Sequence, residues 1–304
     1  ITHLTASEVD QKLPYMKTDD LLDACYCPTD GHLQPAELVS AYVKWGRKLG
    51  VEYRTQTRVE KILVEGDHAI GVQTSDGPIT CGALVNAGGP WSYLIADSAD
   101  TVLPTAAIGH VYLTTRPDDE IQIDRLSPGV RDRENRIYSR PEAGGLIVGM
   151  YEAEPEQYTM EDLPADFDMA LMKAARDDIH VAMLIYSAQQ RFPWINERTA
   201  MTITTGIMTF SPDGKAFCGT MPNLQGLFHC SGFSGHGIVQ SPTIGVIMAE
   251  LICDGKTNYD LNEIEADRFF EMSGYLDRKE IADRCFEMAG NYYGRVEGKT
   301  ATER

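Results

Sequence analysis

A glycine-rich segment, Gly232-Phe233-Ser234-Gly235-His236-Gly237-Ile238, has residue types that suit a ligand-binding turn. The apolar run 227–230 before it predicts a short buried strand, and the apolar spacing of 244–251 after it predicts one face of a helix. Glycines let the backbone approach a ligand closely, and a helix N-terminus presents free N–H groups and partial positive charge. The segment therefore predicts contact with an electron-rich or anionic ligand, although a tight strand-to-helix turn without a ligand has the same pattern.

Individual residues of this turn exclude two familiar motifs. His236 occupies the final glycine position of a hydrolase Gly-x-Ser-x-Gly elbow, and Gln240 occupies the final position of a Gly-x-Gly-x-x-Gly fingerprint. The following helix is expected to begin with Ser241 as its cap and Pro242 in its first turn, and to end at Gly255.

A second glycine-rich strand end follows the apolar run 83–86. The residues Ala87-Gly88-Gly89-Pro90 come directly after this predicted strand, and Trp91 is next. Open α/β sheets bind ligands at the carboxyl ends of their strands, so this end is a second candidate site. A simple turn, with Trp91 in the core, is the alternative.

The sequence Gly-Phe-Ser-Gly-His-Gly resembles the flavin-contacting turn of the D-amino-acid oxidase-like FAD enzymes, in the branch of sarcosine and dimethylglycine oxidases and dehydrogenases. Further blocks agree in the same order over residues 1–295: Asp30-Gly31, 85–92, 138–142, 144–149 and 211–214. The resemblance implies that FAD is the cofactor. It implies these cofactor-binding residues: Val59, Ala87, Gly88, Gly89, Trp91, Gly232, Phe233, Ser234, Gly235, His236, Gly237 and Ile238.

The resemblance also implies a catalytic pair, His110 and Tyr138, which match pocket residues of dimethylglycine oxidases. A neutral histidine can accept the proton of the substrate amine, and a tyrosine hydroxyl can orient the amine or the carboxylate. Arg140 is the candidate for binding a substrate carboxylate by bidentate pairing. The alternatives are a structural histidine on a strand and an Arg140 that pairs with Glu142.

The implied activity is oxidation of the C–N bond of a secondary or tertiary amine by hydride transfer to flavin N5. The substrate would be an N-methylated amino acid such as dimethylglycine or sarcosine, and oxygen or an electron-transfer protein would accept the electrons. Val239 stands where monomeric sarcosine oxidases carry a lysine, and no cysteine stands near Gly206 to link the flavin, which favours the dimethylglycine type. Residues 284–293 resemble the segment that leads into a folate-binding domain of such enzymes.

The dinucleotide fingerprint of the family, a strand, a Gly-x-Gly-x-x-Gly turn and a helix, is not found in these 304 residues. We therefore expect the chain to lack the N-terminal nucleotide-binding βαβ unit. The alternative function is a non-catalytic fragment or subunit that binds a partner carrying that unit.

Composition narrows the partners. The net charge is −18 and Lys and Arg are not clustered, so we do not expect the chain to bind nucleic acid. The sequence has no run of 18 apolar residues, so we expect no membrane-spanning helix. The seven cysteines are scattered without a C-x-x-C pair, which favours reduced thiols in the cytoplasm. The spacing of His229, Cys230 and His236 fits no metal cluster, so no metal is expected.

The predicted fold class is α/β (α+β): an incomplete Rossmann-like FAD-binding layer with an inserted, mostly antiparallel substrate-domain sheet. Residues 1–104 are expected to be the remainder of the FAD-binding domain, with an N-terminal segment shared with the substrate domain. Residues 105–205 form the substrate domain, 206–258 return to the FAD-binding domain, and 259–304 form a helical tail. Helices are expected at 35–49 and 164–187.

Overall fold

The computed structural model describes residues 1–164, 167, 179–196, 199–269 and 277–292. The strands are β1 (Thr2–Leu4), β2 (Ala24–Tyr26), β3 (Val59–Glu65), β4 (His68–Thr74), β5 (Gly77–Thr80), β6 (Leu84–Asn86), β7 (Ala106–Thr115), β8 (Val130–Asp132), β9 (Ile137–Glu142), β10 (Gly145–Met150), β11 (Gln157–Tyr158), β12 (Ala200–Phe210), β13 (Phe217–Met221) and β14 (Leu224–Ser231). The helices are α1 (Ala6–Lys12), α2 (Pro35–Lys48), α3 (Ser92–Asp97), α4 (Ile179–Arg191), α5 (Gly237–Asp254) and α6 (Arg278–Gly290). Short 3₁₀ helices lie at Gly89–Trp91 and Met160–Asp162.

The larger antiparallel sheet has the strand order β11-β7-β10-β9-β8, and β12 pairs with β7. All of these pairs are antiparallel. One face is apolar and packs against α4, as Leu113, Val148 and Leu184 share one buried core cluster. The period-2 alternation of a strand sends the other set of side chains, which includes His110 and Tyr138, to the opposite face. The prediction of an inserted antiparallel sheet is confirmed.

Two details of the sequence prediction fall near this sheet. Of the helix expected at 164–187, the structure describes the final part as α4, while 165–166 and 168–178 lie outside the described residues. Strand β12 crosses the expected domain boundary at 205/206 and pairs with β7 along its length. The division into domains stays a prediction.

A second sheet is mixed, with the order β13-β14-β4-β3, β5 beside β4 and β6 beside β14. β14 runs parallel to β4 and to β6 and antiparallel to β13. α5 lies on this sheet through Ile244, Ile247 and Met248, which share a buried cluster with Cys218. The chain therefore combines an α/β layer with a separate antiparallel sheet, as the sequence predicted.

Helix α5 begins earlier than the sequence pattern indicates. It starts at Gly237, so Pro242 lies inside it rather than in its first turn. Proline has no N–H to donate to the carbonyl four residues earlier, that of Ile238. The hydroxyl of Ser241 donates to this carbonyl instead, at 2.9 Å. Ser241 is therefore not the cap, and the helix tolerates the proline; Gly255, at φ 69°, ends it as expected.

By length and composition α5 is the one helix among the described residues that could cross a membrane, with a mean hydropathy of 1.2 over 18 residues. One such helix is weak evidence, because core helices of soluble proteins pass the same test. The prediction that no helix spans a membrane therefore stays a prediction.

Helix α2 forms where the sequence predicted it but buries none of its side chains. Its apolar residues Tyr42, Trp45 and the following Leu49 are 44%, 61% and 82% exposed. Tyr42 Oη lies 3.3 Å from Ser241 Oγ of α5, where Val239 is 73% exposed. We call this apolar region, made of Val39, Tyr42, Trp45, Leu49 and Val239, the α2–α5 surface.

Candidate active site

The two glycine-rich strand ends lie side by side. β6 and β14 are parallel and place Asn86 next to His229, so both chains leave the sheet at the same edge. Ser231 Oγ donates to Ser92 Oγ at 2.7 Å and lies 3.4 Å from the carbonyl of Gly89. These buried contacts tie 87–89 to the turn that begins at Gly232.

The turn after β14 holds a backbone that favours glycine. Gly232 and Gly235 have φ values of 71° and 87°, and Ser234 has 49°. Ser234 is fully buried, and its N–H donates to the carbonyl of Thr209 at 2.9 Å. A Cβ on Gly235 would lie 2.8 Å from Tyr151 Oη. Glycine is therefore required here by conformation and by close approach.

The first turn of α5 has no side-chain cap. His236 is the N-cap residue and makes no capping hydrogen bond, so the first N–H groups of the helix remain directed out of its N-terminus. Burial lowers the pKa of His236, and the charge of Arg131 lowers this pKa further. Nδ1 of His236 lies 3.0 Å from the hydroxyl of Tyr292. An anionic or carbonyl group would find hydrogen-bond donors at this helix end.

The predicted catalytic pair is in contact. Tyr138 Oη lies 2.7 Å from Nε2 of His110, and His110 Nδ1 lies 3.2 Å from Oε2 of Glu152. The other oxygen of Glu152 accepts the backbone N–H of Val111 at 2.8 Å. His110 is 9% and Glu152 4% exposed. The three side chains form a hydrogen-bonded series from a half-buried phenol to a buried carboxylate.

A row of aromatic rings joins this series to the glycine turn. The ring of Tyr151 lies 5.2 Å from His110 and 5.9 Å from Tyr138 between centroids. It stacks on Tyr292 at 5.1 Å, and Tyr292 lies 5.6 Å from His236. The structure therefore brings His110, Tyr138 and His236 into one continuous cluster.

Arg140 is on the same face of the sheet as Tyr138, because the β9–β10 register is unbroken between them. Its guanidinium lies 2.5 Å from Glu142 Oε2, and Gln34 donates to Glu142 Oε1 at 3.0 Å. The structure thus pairs Arg140 with the acid that the sequence offered as its alternative partner.

Arg131 stands directly opposite Tyr138, on β8. Opposite residues of an antiparallel pair share a face, so Arg131 and Tyr138 project to the same side. Arg131 is exposed and lines a cavity of about 710 Å³ between α1 and β8. Its apolar wall is formed by Val9, Leu13 and Met16 of the core cluster on the α4 face, and neither His110 nor Tyr138 lines it.

Other predicted cofactor residues lie further along the mixed sheet. Val59 begins β3 and is 39% exposed, and Trp91 ends the 3₁₀ helix after β6 and is 36% exposed. Within the described part of the chain, no group of three or more His, Cys, Asp or Glu side chains could hold a metal ion.

Sequence reasoning did not identify Tyr151, Glu152, Tyr292 or Arg131 as site residues. Tyr151 and Glu152 directly follow β10, and Tyr292 follows α6. A polar pair at the end of an apolar strand is a usable signal for Glu152. No local pattern marks Tyr292, since its partner His236 is 56 positions away.

The residues present fit FAD. The uncapped N-terminus of α5 offers N–H groups to an electron-rich ring edge, and the adjacent glycine-rich ends leave the backbone accessible. A family model described as DAO, FAD dependent oxidoreductase, matches residues 2–251.

Three curated proteins are similar to this chain. 4-Methylaminobutanoate oxidase (formaldehyde-forming) of Paenarthrobacter nicotinovorans is 28% identical over 95% of this chain and 34% of its own length. The mitochondrial pyruvate dehydrogenase phosphatase regulatory subunit of Mus musculus is 28% identical over 88% of this chain and 30% of its own length. Mitochondrial dimethylglycine dehydrogenase of Homo sapiens is 24% identical over 96% of this chain and 36% of its own length. The chain thus spans about a third of the length of these relatives.

Among solved structures, L-proline dehydrogenase from P. horikoshii superposes with a TM-score of 0.76 at 24% identity, over 90% of this chain and 69% of the other. This likeness supports the fold. The family model covers most of the chain, and FAD is the cofactor of that family. The sequence resemblance is confirmed: the chain belongs to the DAO family of FAD-dependent oxidoreductases.

Proposed function

We propose that this chain supplies the substrate-facing part of an enzyme that oxidises the C–N bond of a secondary or tertiary amine. The substrate class is an N-methylated amino acid such as dimethylglycine or sarcosine. The observation that carries the proposal is the 2.7 Å contact between Tyr138 and His110, joined through Tyr151 and Tyr292 to the glycine turn.

Tyr138 and His110 remove the proton from the substrate amine before oxidation. An amine at neutral pH carries a proton that occupies the nitrogen lone pair, and the C–H bond gives up hydride readily only after that proton leaves. Tyr138 can accept this proton while it passes its own to Nε2 of His110. FAD, when bound, supplies the hydride acceptor.

The residues proposed to hold FAD come from both glycine-rich ends. Ala87, Gly88, Gly89 and Trp91 follow β6, and Gly232–Ile238 follow β14. The N–H groups at the start of α5 would stabilise negative charge on the flavin ring. Val59, at the start of β3, is proposed to meet the adenine through its backbone.

The substrate carboxylate needs a cation near Tyr138. Arg140 is the residue proposed from the sequence, but to bind substrate it must exchange its contact with Glu142. Arg131 is a second candidate, because it lies opposite Tyr138 and its charge acts on His236 of the same cluster. Bidentate arginine–carboxylate pairing suits either residue.

Two similar proteins support the substrate class by their names, 4-methylaminobutanoate oxidase and dimethylglycine dehydrogenase. The regulatory subunit among the similar proteins is the reason to test catalysis directly. The buried Tyr138–His110–Glu152 series favours the enzyme over the non-catalytic alternative. We also propose an electron acceptor, either oxygen or an electron-transfer protein, a downstream folate domain and a cytoplasmic location. All seven cysteines are unpaired thiols, which supports the cytoplasmic location.

The test uses the full-length protein with its flavin, mixed without oxygen with dimethylglycine, sarcosine or 4-methylaminobutanoate. We expect at least one to bleach the visible flavin absorbance and to release formaldehyde. Dimethylamine, which lacks the carboxylate, is the matched control and should react much more slowly. An unchanged spectrum with every N-methyl amino acid would overturn the proposal.

A further inference from the structure

The carboxylate of Glu152 is buried just beyond β10, where its two oxygens have different partners. Oε1 accepts the N–H of Val111 at 2.8 Å, and Oε2 lies 3.2 Å from Nδ1 of His110. Burying a carboxylate costs free energy unless it is hydrogen-bonded, and these two contacts offset that cost. The backbone bond also fixes which oxygen faces the imidazole.

The contacts of Glu152 determine the tautomer of His110. An ionised carboxylate only accepts hydrogen bonds, so Nδ1 of His110 must carry the ring hydrogen. Nε2 is then an acceptor, and it faces the hydroxyl of Tyr138 at 2.7 Å. Tyr138 then donates to Nε2, and its oxygen is the atom that accepts the substrate N–H in the proposed step.

We propose that Glu152 is a positioning residue, which holds His110 in the tautomer that can take a proton from Tyr138. The inference rests on the proposed function. The substrate ammonium gives one proton to the Tyr138 oxygen as Tyr138 gives its own proton to Nε2. The amine becomes neutral, His110 becomes cationic beside the Glu152 carboxylate, and no electrons move in this step.

Other ionisable groups lie around this series. Tyr138 and Tyr151 face the imidazole ring. Glu156 and His180 line a cavity of about 10 Å³ beside His110 and Glu152. That volume is about enough for one water molecule. Arg136 donates to the backbone carbonyls of Tyr151 and Glu152, so its positive charge lies near the carboxylate.

The decisive variant is Glu152→Gln, which keeps the shape and removes the charge. The Val111 N–H still needs an oxygen, so the amide NH₂ must face His110 Nδ1 and donate to it. The ring then carries its hydrogen on Nε2 and no longer accepts from Tyr138. We expect kcat/KM to fall by roughly 10²–10⁴-fold, the range of a lost general base.

The pH profile separates this role from a structural one. Without the base, the variant depends on substrate molecules that are already neutral, and their fraction rises with pH. The ratio of wild-type to variant kcat/KM should therefore shrink as pH increases, whereas general damage would lower the rate by the same factor at every pH. Glu152→Asp should restore part of the activity. Glu154→Gln removes one charge two residues away, on an exposed side chain, and should match wild type.

A second readout does not need turnover. In protein with ¹⁵N-labelled histidine, the ring shifts of His110, assigned through a His110→Asn variant, should report the Nδ1–H tautomer in wild type. They should report the Nε2–H tautomer in Glu152→Gln. If no amine is oxidised but the tautomer changes as expected, the proposed function fails and the positioning role stands. An unchanged tautomer, or wild-type kcat/KM in Glu152→Gln, would overturn the inference.

Discussion

The hydroxyl of Tyr138 reaches His110 across an intervening strand. Tyr138 lies on β9 and His110 on β7, and β10 runs between them. Gly149 of β10 is the register partner of Tyr138, and a Cβ there would overlap the phenol ring. The absence of a side chain at Gly149 is therefore what allows the 2.7 Å contact to form.

The first prediction concerns Gly149→Ala. The added methyl group must displace the Tyr138 ring from His110, and a shift of about 1 Å near a reacting group can cost roughly 100-fold in rate. We expect kcat/KM to fall by about that factor. In a Tyr138→Phe background the same substitution should have little further effect, because the hydroxyl is already gone. Additive losses in this double-mutant cycle would show that Gly149 acts elsewhere.

The second prediction compares the two arginines. We expect Arg131→Gln to raise KM for dimethylglycine by roughly 10- to 100-fold, the worth of a charge-assisted hydrogen bond. Arg140→Gln should have the smaller effect, because Arg131 is the direct cross-strand neighbour of Tyr138, whereas Arg140 lies two residues further along β9. Steady-state kinetics with dimethylamine as control should show neither effect. A larger KM change in Arg140→Gln would instead assign the carboxylate to Arg140.

The third prediction uses two glycines. Gly235 has a φ of 87° and lies close to Tyr151, so Gly235→Ala should lower the free energy of unfolding by about 1–2 kcal/mol and weaken flavin retention. Gly245 is an exposed position inside α5 with nothing within 4 Å of its added Cβ. Gly245→Ala should raise the free energy of unfolding by about 0.5–1 kcal/mol. Urea unfolding of both variants checks the opposite signs; equal effects would contradict the turn geometry.

The fourth prediction is a pH dependence of stability from His229. Burial lowers the pKa of this side chain from 6.5 to about 4. As the pH falls below 6.5, the histidine is protonated in the unfolded chain but stays neutral in the folded protein until the pH reaches about 4. Protonation therefore stabilises the unfolded state, and the free energy of unfolding decreases. The free energy of unfolding should be lower by about 2 kcal/mol at about pH 5 than at about pH 7.

Urea titrations at both pH values measure this loss, and His229→Gln removes the titrating group. In this variant the difference in the free energy of unfolding between the two pH values should be smaller than in wild type by about 2 kcal/mol. The same slope in variant and wild type would place the titration in other groups.

Local patterns predicted much of the fold. The apolar spacing of α5 and the glycine at 255 located that helix, and the β-like runs at β9 and β10, separated by polar turns, located the inserted sheet. The start of α5 was predicted wrongly, because a Ser-Pro pair commonly marks the first turn of a helix. Here the Ser241 hydroxyl satisfies the carbonyl that Pro242 leaves without a donor.

The site was less predictable than the fold. His110 and Tyr138 were identified by family resemblance, and their spacing of 28 positions carries no information by itself. Glu152 lies 42 positions from His110, and Tyr292 reaches His236 only because α6 docks beside β7 and β12. Such contacts depend on tertiary packing, which periodicity does not encode.

The α2–α5 surface has a consequence for the behaviour of the chain in concentrated solution. The exposed apolar side chains of this surface, among them Trp45, Leu49 and Val239, favour association between two copies of the chain. The net charge of −18 opposes that association, because the molecules repel one another. Salt shortens the range of that repulsion and leaves the apolar attraction intact. Self-association of this chain should therefore increase with ionic strength, and buffer of low ionic strength is the condition that keeps its molecules apart.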